Sequence, residues 1–288
     1  EPVELNSNPV ITPGLGDISE SYEDNSLILS FTEKQEAGVQ YVIDAEVMDL
    51  TGNRMSFLIQ FYGFNPYLPG LLINEFTTQG SASHPDVVEL RILKAGNLAG
   101  LWVIEGTKSF TENEICLPDC EVEEGDYIVI HFKPQGLPEE IDESGSELDL
   151  SGGLDASPEA RDFWVKGGTG LSGNNGVIAV YSAPGGRLLD GILYSNRTSL
   201  SDEKYSGFGS TRMKDKALEL VEEGGWIGSG PAGAPLPEDG VNPDDSTATR
   251  SICRSSEPAD TDSKADWHIV PTSGATFGTV NSDEVHVP

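Results

Sequence analysis

The chain has 288 residues, with 48 Asp or Glu against 17 Lys or Arg and a formal net charge of -31. A surface dominated by carboxylate repels polyphosphate and anionic lipid, which argues against nucleic acid and charged bilayers as partners and leaves divalent cations, cationic partners or neutral glycans. No run reaches the roughly 18 to 20 apolar residues that a membrane-crossing helix needs, and the length suits two domains.

Residues 1–62 carry short apolar runs at 9–12, 27–31, 39–48 and 55–62, broken by polar turns. Val39, Tyr41, Ile43, Ala45 and Val47 alternate with polar neighbours, the period-2 pattern of a strand with one buried face, and Thr51-Gly52-Asn53 turns the chain into the next run. Gly63-Phe64-Asn65-Pro66-Tyr67-Leu68-Pro69-Gly70 punctuates two strand patterns and predicts a boundary, giving domains 1–66 and 67–288.

From Leu71 the strand runs are LLINEF, DVVEL, LWVIEG and DYIVIHF, then Asn174 to Ser195, which reads as a half-buried hairpin with Pro184-Gly185-Gly186 at its turn. Two stretches interrupt this series. Residues 133–170 are acidic and rich in Gly, Ser and Pro, the composition of a flexible loop. Residues 199–240 hold the one convincing helix, with Ser210 or Thr211 as N-cap, an apolar stripe of Met213, Ala217, Leu218, Leu220 and Val221, and Gly224 as its stop. That helix is expected to lie over an open end or edge of a sandwich, covering unpaired strand groups.

The run from Ser26 to Phe61, with its Asp49-Leu50-Thr51-Gly52-Asn53 turn, resembles small bacterial Ig-like domains. The later blocks LLINEF, DVVEL, NLAGLWVI, EEGDYIVIHF, NNGVIAVYSAPGGRLLDGILY, TATRSICR and ADWHIVPTSGATFGTVN, in that order, resemble the lamin tail domain, with Asp266-Trp267 and Pro271 to Asn281 as its closing block. The resemblance implies an all-β chain of two Ig-like β-sandwich domains, the second with long loop insertions at 133–170 and 199–240 and one short helix. It further implies a non-catalytic module, secreted or cell-surface, attaching to a protein or glycan partner.

Catalytic motifs give little. The histidines His84, His131, His268 and His286 lie in unrelated segments without metalloprotease spacing. Gly168 to Gly173 has the spacing G-x-G-x-x-G but leads into a strand rather than a helix, and no serine sits in a strand-turn-helix elbow. An unrecognised hydrolase is the remaining enzymatic alternative.

Calcium is the strongest chemical candidate, because it takes six to eight carboxylate and carbonyl oxygens. The preferred cluster is Asp260, Asp262 and Asp266 beside Trp267, against a plain reading of these residues as turn formers and caps. Trp164, Trp226 and Tyr205 lie in the insertions and are candidates for stacking on sugar rings, or else for anchoring long loops. A Ca²⁺-dependent carbohydrate-binding protein is therefore the sharper alternative. Cys116, Cys120 and Cys253 form an odd set in which a local Cys116–Cys120 disulfide competes with free thiols. The expectation is a monomer outside the cell or in its envelope, with any signal or lipid anchor upstream of Glu1.

Overall fold

A computed structural model of the chain describes residues 3–23 and 26–288. Glu1, next to which an upstream anchor is expected, lies outside them. The chain divides into two compact units, Glu1–Pro66 and Tyr67–Pro288.

The first unit holds β1 (Val3–Leu5), β2 (Val10–Thr12), β3 (Ile18–Glu23), β4 (Ser26–Phe31), β5 (Gln40–Asp49) and β6 (Arg54–Tyr62). One edge of β5 receives β1 and β2 and the other receives β6, while β3 and β4 pair separately. The alternation read in β5 is realised: Tyr41, Ala45 and Val47 are buried, and Tyr41 stacks on Phe61 at 5.4 Å. Ile11, Leu15 and Tyr41 form the small core, with Ile18, Phe31, Val39, Ile43 and Phe61 packed against it. The β5–β6 turn is held by Asp49, whose Oδ1 accepts from the Thr51 and Asn53 amides at 2.8 and 2.9 Å. These donors, the Asn53 side chain first, hold the Asp49 carboxyl well below the usual carboxylate range.

The second unit contains β7 (Gly70–Phe76), β8 (Val87–Lys94), β9 (Gly96–Asn97), β10 (Trp102–Thr107), β11 (Phe110–Cys116), β12 (Glu121–Val122), β13 (Tyr127–His131), β14 (Arg161–Trp164), β15 (Asn175–Tyr181), β16 (Leu188–Ser195), β17 (Ile252–Arg254) and β18 (Trp267–Ile269). One sheet runs β11-β10-β15-β16 and the other β14-β13-β8-β7-β17-β18. Ile73, Val88, Leu90, Ile128 and Ile130 of the six-stranded sheet share one core with Val103, Ile178, Val180 and Ile192 of the four-stranded sheet. The fold is all-β and sandwich-like, with one helix.

The hairpin read as half-buried is covered on both faces, since every residue from Gly176 to Tyr181 is buried. The reason is α1 (Thr211–Glu222), which contacts β10, β15 and β16 and so lies across a sheet face rather than over an edge. Ser210 caps it, accepting from the Met213 amide at 3.1 Å. Gly191 lets the helix come close, because a Cβ there would sit 2.5 Å from Leu220 Cδ1. Tyr181 Oη donates to Glu223 at 2.7 Å and ties the sheet to the helix end.

The stretch 133–170 is ordered rather than a flexible loop. Its β14 pairs in parallel with β13, and Glu143, fully buried, accepts from the amides of Leu150, Ser151 and Asp162 at 2.8 to 3.0 Å. Glu140 accepts likewise from Gln135, Gly136 and Leu137. The acidic side chains therefore serve as acceptors for loop backbone that has no ladder partner.

Candidate functional site

The outer face of the six-stranded sheet carries polar residues where a core would carry aliphatics. Along β7 and β8, Ile73, Phe76, Val88 and Leu90 point into the sandwich, so Asn74, Glu75 and Glu89 point out. All three are fully buried nonetheless, because the segment after β18 lies over them. Glu75 accepts from the Ser251 hydroxyl, the Thr276 amide at 2.9 Å and the Thr276 hydroxyl at 2.7 Å. Glu89 accepts from Asn74 Nδ2 at 2.6 Å and the Gly278 amide at 2.5 Å, and Asn281 receives a bond from Asn74 Nδ2 at 2.9 Å. Glu75 and Glu89 face each other across the strand pair. Burial, and then the charge of Glu75, pushes the Glu89 carboxyl well above its ordinary range; burial pushes Glu75 up as well.

The clamped segment forms one wall of an open cleft of about 470 Å³. Ser273, Ala275 and Phe277 come from that segment, Thr77, His84 and Pro85 from the β7–β8 connection, Asp155 to Pro158 from the chain before β14, and Ala248 and Thr249 from the chain before β17. Phe277 is wedged against Val87, Tyr127, Val129 and Ala160. His84 Nδ1 and Asp155 Oδ1 are 2.8 Å apart. Asp155 and Ser273 both adopt left-handed backbone, at φ 60° and 61°, a conformation costly for non-glycine residues and concentrated at binding sites. Thr77 is buried and its hydroxyl has no hydrogen-bond partner. The cleft thus offers apolar surface from Pro85, Pro158 and Phe277 next to a carboxylate, an imidazole and hydroxyls, the mixture that orients a polar ligand with an apolar face.

The aromatic residues proposed from sequence lie elsewhere. Trp164 is 4% exposed, stacks on His131 at 3.7 Å, and donates from Nε1 to Ile141 O and Ser151 Oγ at 3.2 and 3.1 Å. Trp226 is 2% exposed and donates to Asp239 O at 3.1 Å. Both indoles hold their insertions down, and neither presents a face to a sugar. Tyr205 is half-buried under Lys204, whose Nζ sits 4.6 Å from the ring centre.

The aspartates proposed for calcium surround a cation already in the chain. Arg254, fully buried, reaches Asp260 at 3.1 Å, Asp266 at 3.5 Å and Asp190 at 3.8 Å, and its guanidinium lies 4.7 Å over Trp267. Its Nε also donates to Ile73 O at 2.8 Å. Asp262 takes left-handed backbone at φ 50°, and burial followed by the neighbouring Asp260 raises its carboxyl. Among the described residues, no group of three or more His, Cys, Asp or Glu is arranged to hold a metal. Cys116, Cys120 and Cys253 are free thiols, so the local disulfide is absent, with Cys116 exposed and the other two buried.

Sequence reasoning missed the buried carboxyl pair and the His131–Asp162 pair, whose Nε2 to Oδ1 distance is 2.7 Å with both side chains 1% exposed. The signal was present in LLINEF and DVVEL, where polar residues interrupt apolar strands.

Comparison with known proteins places residues 69–269 in the match of a family model, TP_1001_2nd, described as a protein second domain. A protein of Treponema pallidum (strain Nichols), described as uncharacterized, is 26% identical over 199 residues, covering 68% of this chain and 50% of that protein. The chain thus spans about half the length of that relative. The crystal structure of a DUF4876 family protein from Bacteroides thetaiotaomicron aligns over 93% of this chain and 90% of its own, at 12% identity and a TM-score of 0.35.

Proposed function

Because the chain belongs to the TP_1001_2nd family, whose matched region spans both sheets and all but the closing segment of the second unit, we propose that this unit is a non-enzymatic binding module of the secreted or cell-surface kind, with a neutral glycan as the ligand of its cleft. The observation that carries the reading is the cleft itself, where three separate stretches of chain bring His84, Asp155, Thr77 and Phe277 together. Ring hydroxyls suit the carboxylate and the imidazole, and the apolar face of a sugar suits Phe277 and the prolines. A net charge of -31 disfavours anionic glycans and leaves neutral ones. The kinship with lamin tail domains is part of the proposal, supported by the order in which the recognised blocks supply β7, β8, β10, β13, β15, β16, β17 and β18.

The test is a panel of immobilised neutral oligosaccharides probed with the wild-type chain and with Phe277→Ala and His84→Ala variants. Binding by the wild type that each variant weakens supports the site. Wild-type binding that both variants retain, or no binding to any sugar, removes it.

A further inference from the structure

The first unit carries a surface that its own small core does not use. Strand β6 runs for nine residues and pairs only with β5, leaving its other edge without a partner among the described residues. Met55, Leu58 and Ile59 on this strand are 62%, 62% and 49% exposed. A long apolar edge strand is a template for strand addition, and folded proteins normally blunt one with charge, proline or a cover. Several other sheet edges follow that rule: β11 carries Glu112 and Glu114, β16 is bonded to Val241, and the amide of His286 donates to Ile269 of β18; β4, SLILSF, is also uncharged and among the described residues pairs only with β3, but runs for six residues against the nine of β6. In contrast, Arg54 to Tyr62 contains no carboxylate and no proline, in a chain with 48 Asp or Glu.

We propose that β6 is the surface on which a second copy of this chain docks, the two strands pairing antiparallel about a two-fold axis at Leu58, in place of the monomer expected from sequence. Two observations favour a second copy over another partner. From Met55 to Phe61 the polarity of the strand is symmetric about Leu58, so an antiparallel self-pairing sets Met55 against Phe61, Ser56 against Gln60, Phe57 against Ile59 and Leu58 against itself, with Arg54 against Tyr62 at the ends. Two copies that each carry a charge of -31 repel over most of their surface, and β6 is a long stretch where contact brings no carboxylates together. Its single charge, Arg54, already lies 3.4 Å from Glu46 of the same unit. The pairing joins the two β5-centred sheets into one and consumes the open edge of both copies, so it closes at a dimer.

The experiment is sedimentation equilibrium of the full chain as wild type, Leu58→Lys, Leu58→Glu and a 1:1 mixture of the two variants, with far-UV circular dichroism confirming that each is folded. The wild type forms a dimer that tightens as salt screens the net charge. Each variant places like charges together on the axis and weakens association by at least about tenfold, while the mixture restores it by setting Lys against Glu. A wild type that stays monomeric, variants that associate like the wild type, or a mixture no tighter than either variant each overturns the proposal. Should a variant lose its fold, Met55→Lys, at a position exposed on the same edge, must give the same loss of dimer.

Discussion

Replacing Glu89 by Gln isolates the energetics of the carboxyl pair under the closing segment. The amide keeps an oxygen for the Gly278 N–H, and its new N–H₂ group can donate to Asn74 Oδ1, buried without a partner, once the Asn74 amide turns over and gives up its bond to Asn281. What disappears is the titration. Folding raises the Glu89 pKa above its ordinary value of 4.5, so the native state binds a proton that the unfolded chain has released once pH exceeds that value. Stability is therefore full below about pH 4.5 and falls as pH rises towards the folded value, by about 1.4 kcal/mol per pH unit for one proton. The wild type loses this stability as pH rises above about 4.5, and Glu89→Gln does not. Urea unfolding followed by tryptophan fluorescence reads it selectively, because all 4 tryptophans lie in the second unit. Asp190, pushed up to about 7 by burial against the pull of Arg254, contributes the same sign of slope to both proteins, so the difference between them is the decisive quantity. Parallel pH profiles for wild type and variant would refute the argument that Glu89 holds a proton in the fold.

Three further outcomes follow from the packing. Arg254→Met leaves Asp190 buried beside Asp260 and Asp266 without their cation, and costs about 3 to 5 kcal/mol of unfolding free energy in the same urea assay. Gly191→Ala drives a methyl group into Leu220 and costs about 1 to 3 kcal/mol, with amide hydrogen exchange across α1 accelerating more than across β7 and β8. Millimolar Ca²⁺ or a chelator leaves the thermal midpoint unchanged, since Asp260 and Asp266 are engaged with Arg254; a midpoint that climbs with Ca²⁺ concentration would show a site that this geometry does not contain.

Fold class was legible because the strands of this chain announce themselves by alternation and by short β-branched runs, as in β5 and β13, and because the helix carries a cap, a stripe and a stop. Strands without that pattern went unread. β3 is ISESYE, almost wholly exposed, and β11 is FTENEIC, half-exposed, and the polar residues of both look like loop. β14, RDFW, sits in an acidic stretch, and its parallel pairing with β13 is a tertiary fact with no local signature. The cleft was illegible for a related reason: its residues come from four places in the chain, and none of them is a motif by itself. The tryptophans of the insertions were read by position, and position could not distinguish an aromatic that greets solvent from one that nails a loop to the sheet. Trp164 and Trp226 do the second.

The bond between Asn74 and Asn281 spans 207 residues, and Thr276 reaches Glu75 across 201. Strand β7, made early, lies in the sheet between β8 and β17, made late. During synthesis the second unit consequently cannot finish its six-stranded sheet until Ile269 is available, nor shield its paired carboxyls from water until residue 281 is. Closure by such distant partners slows folding. A chain that emerges N-terminus first leaves this face of the sheet uncovered until the last strand and the segment behind it arrive.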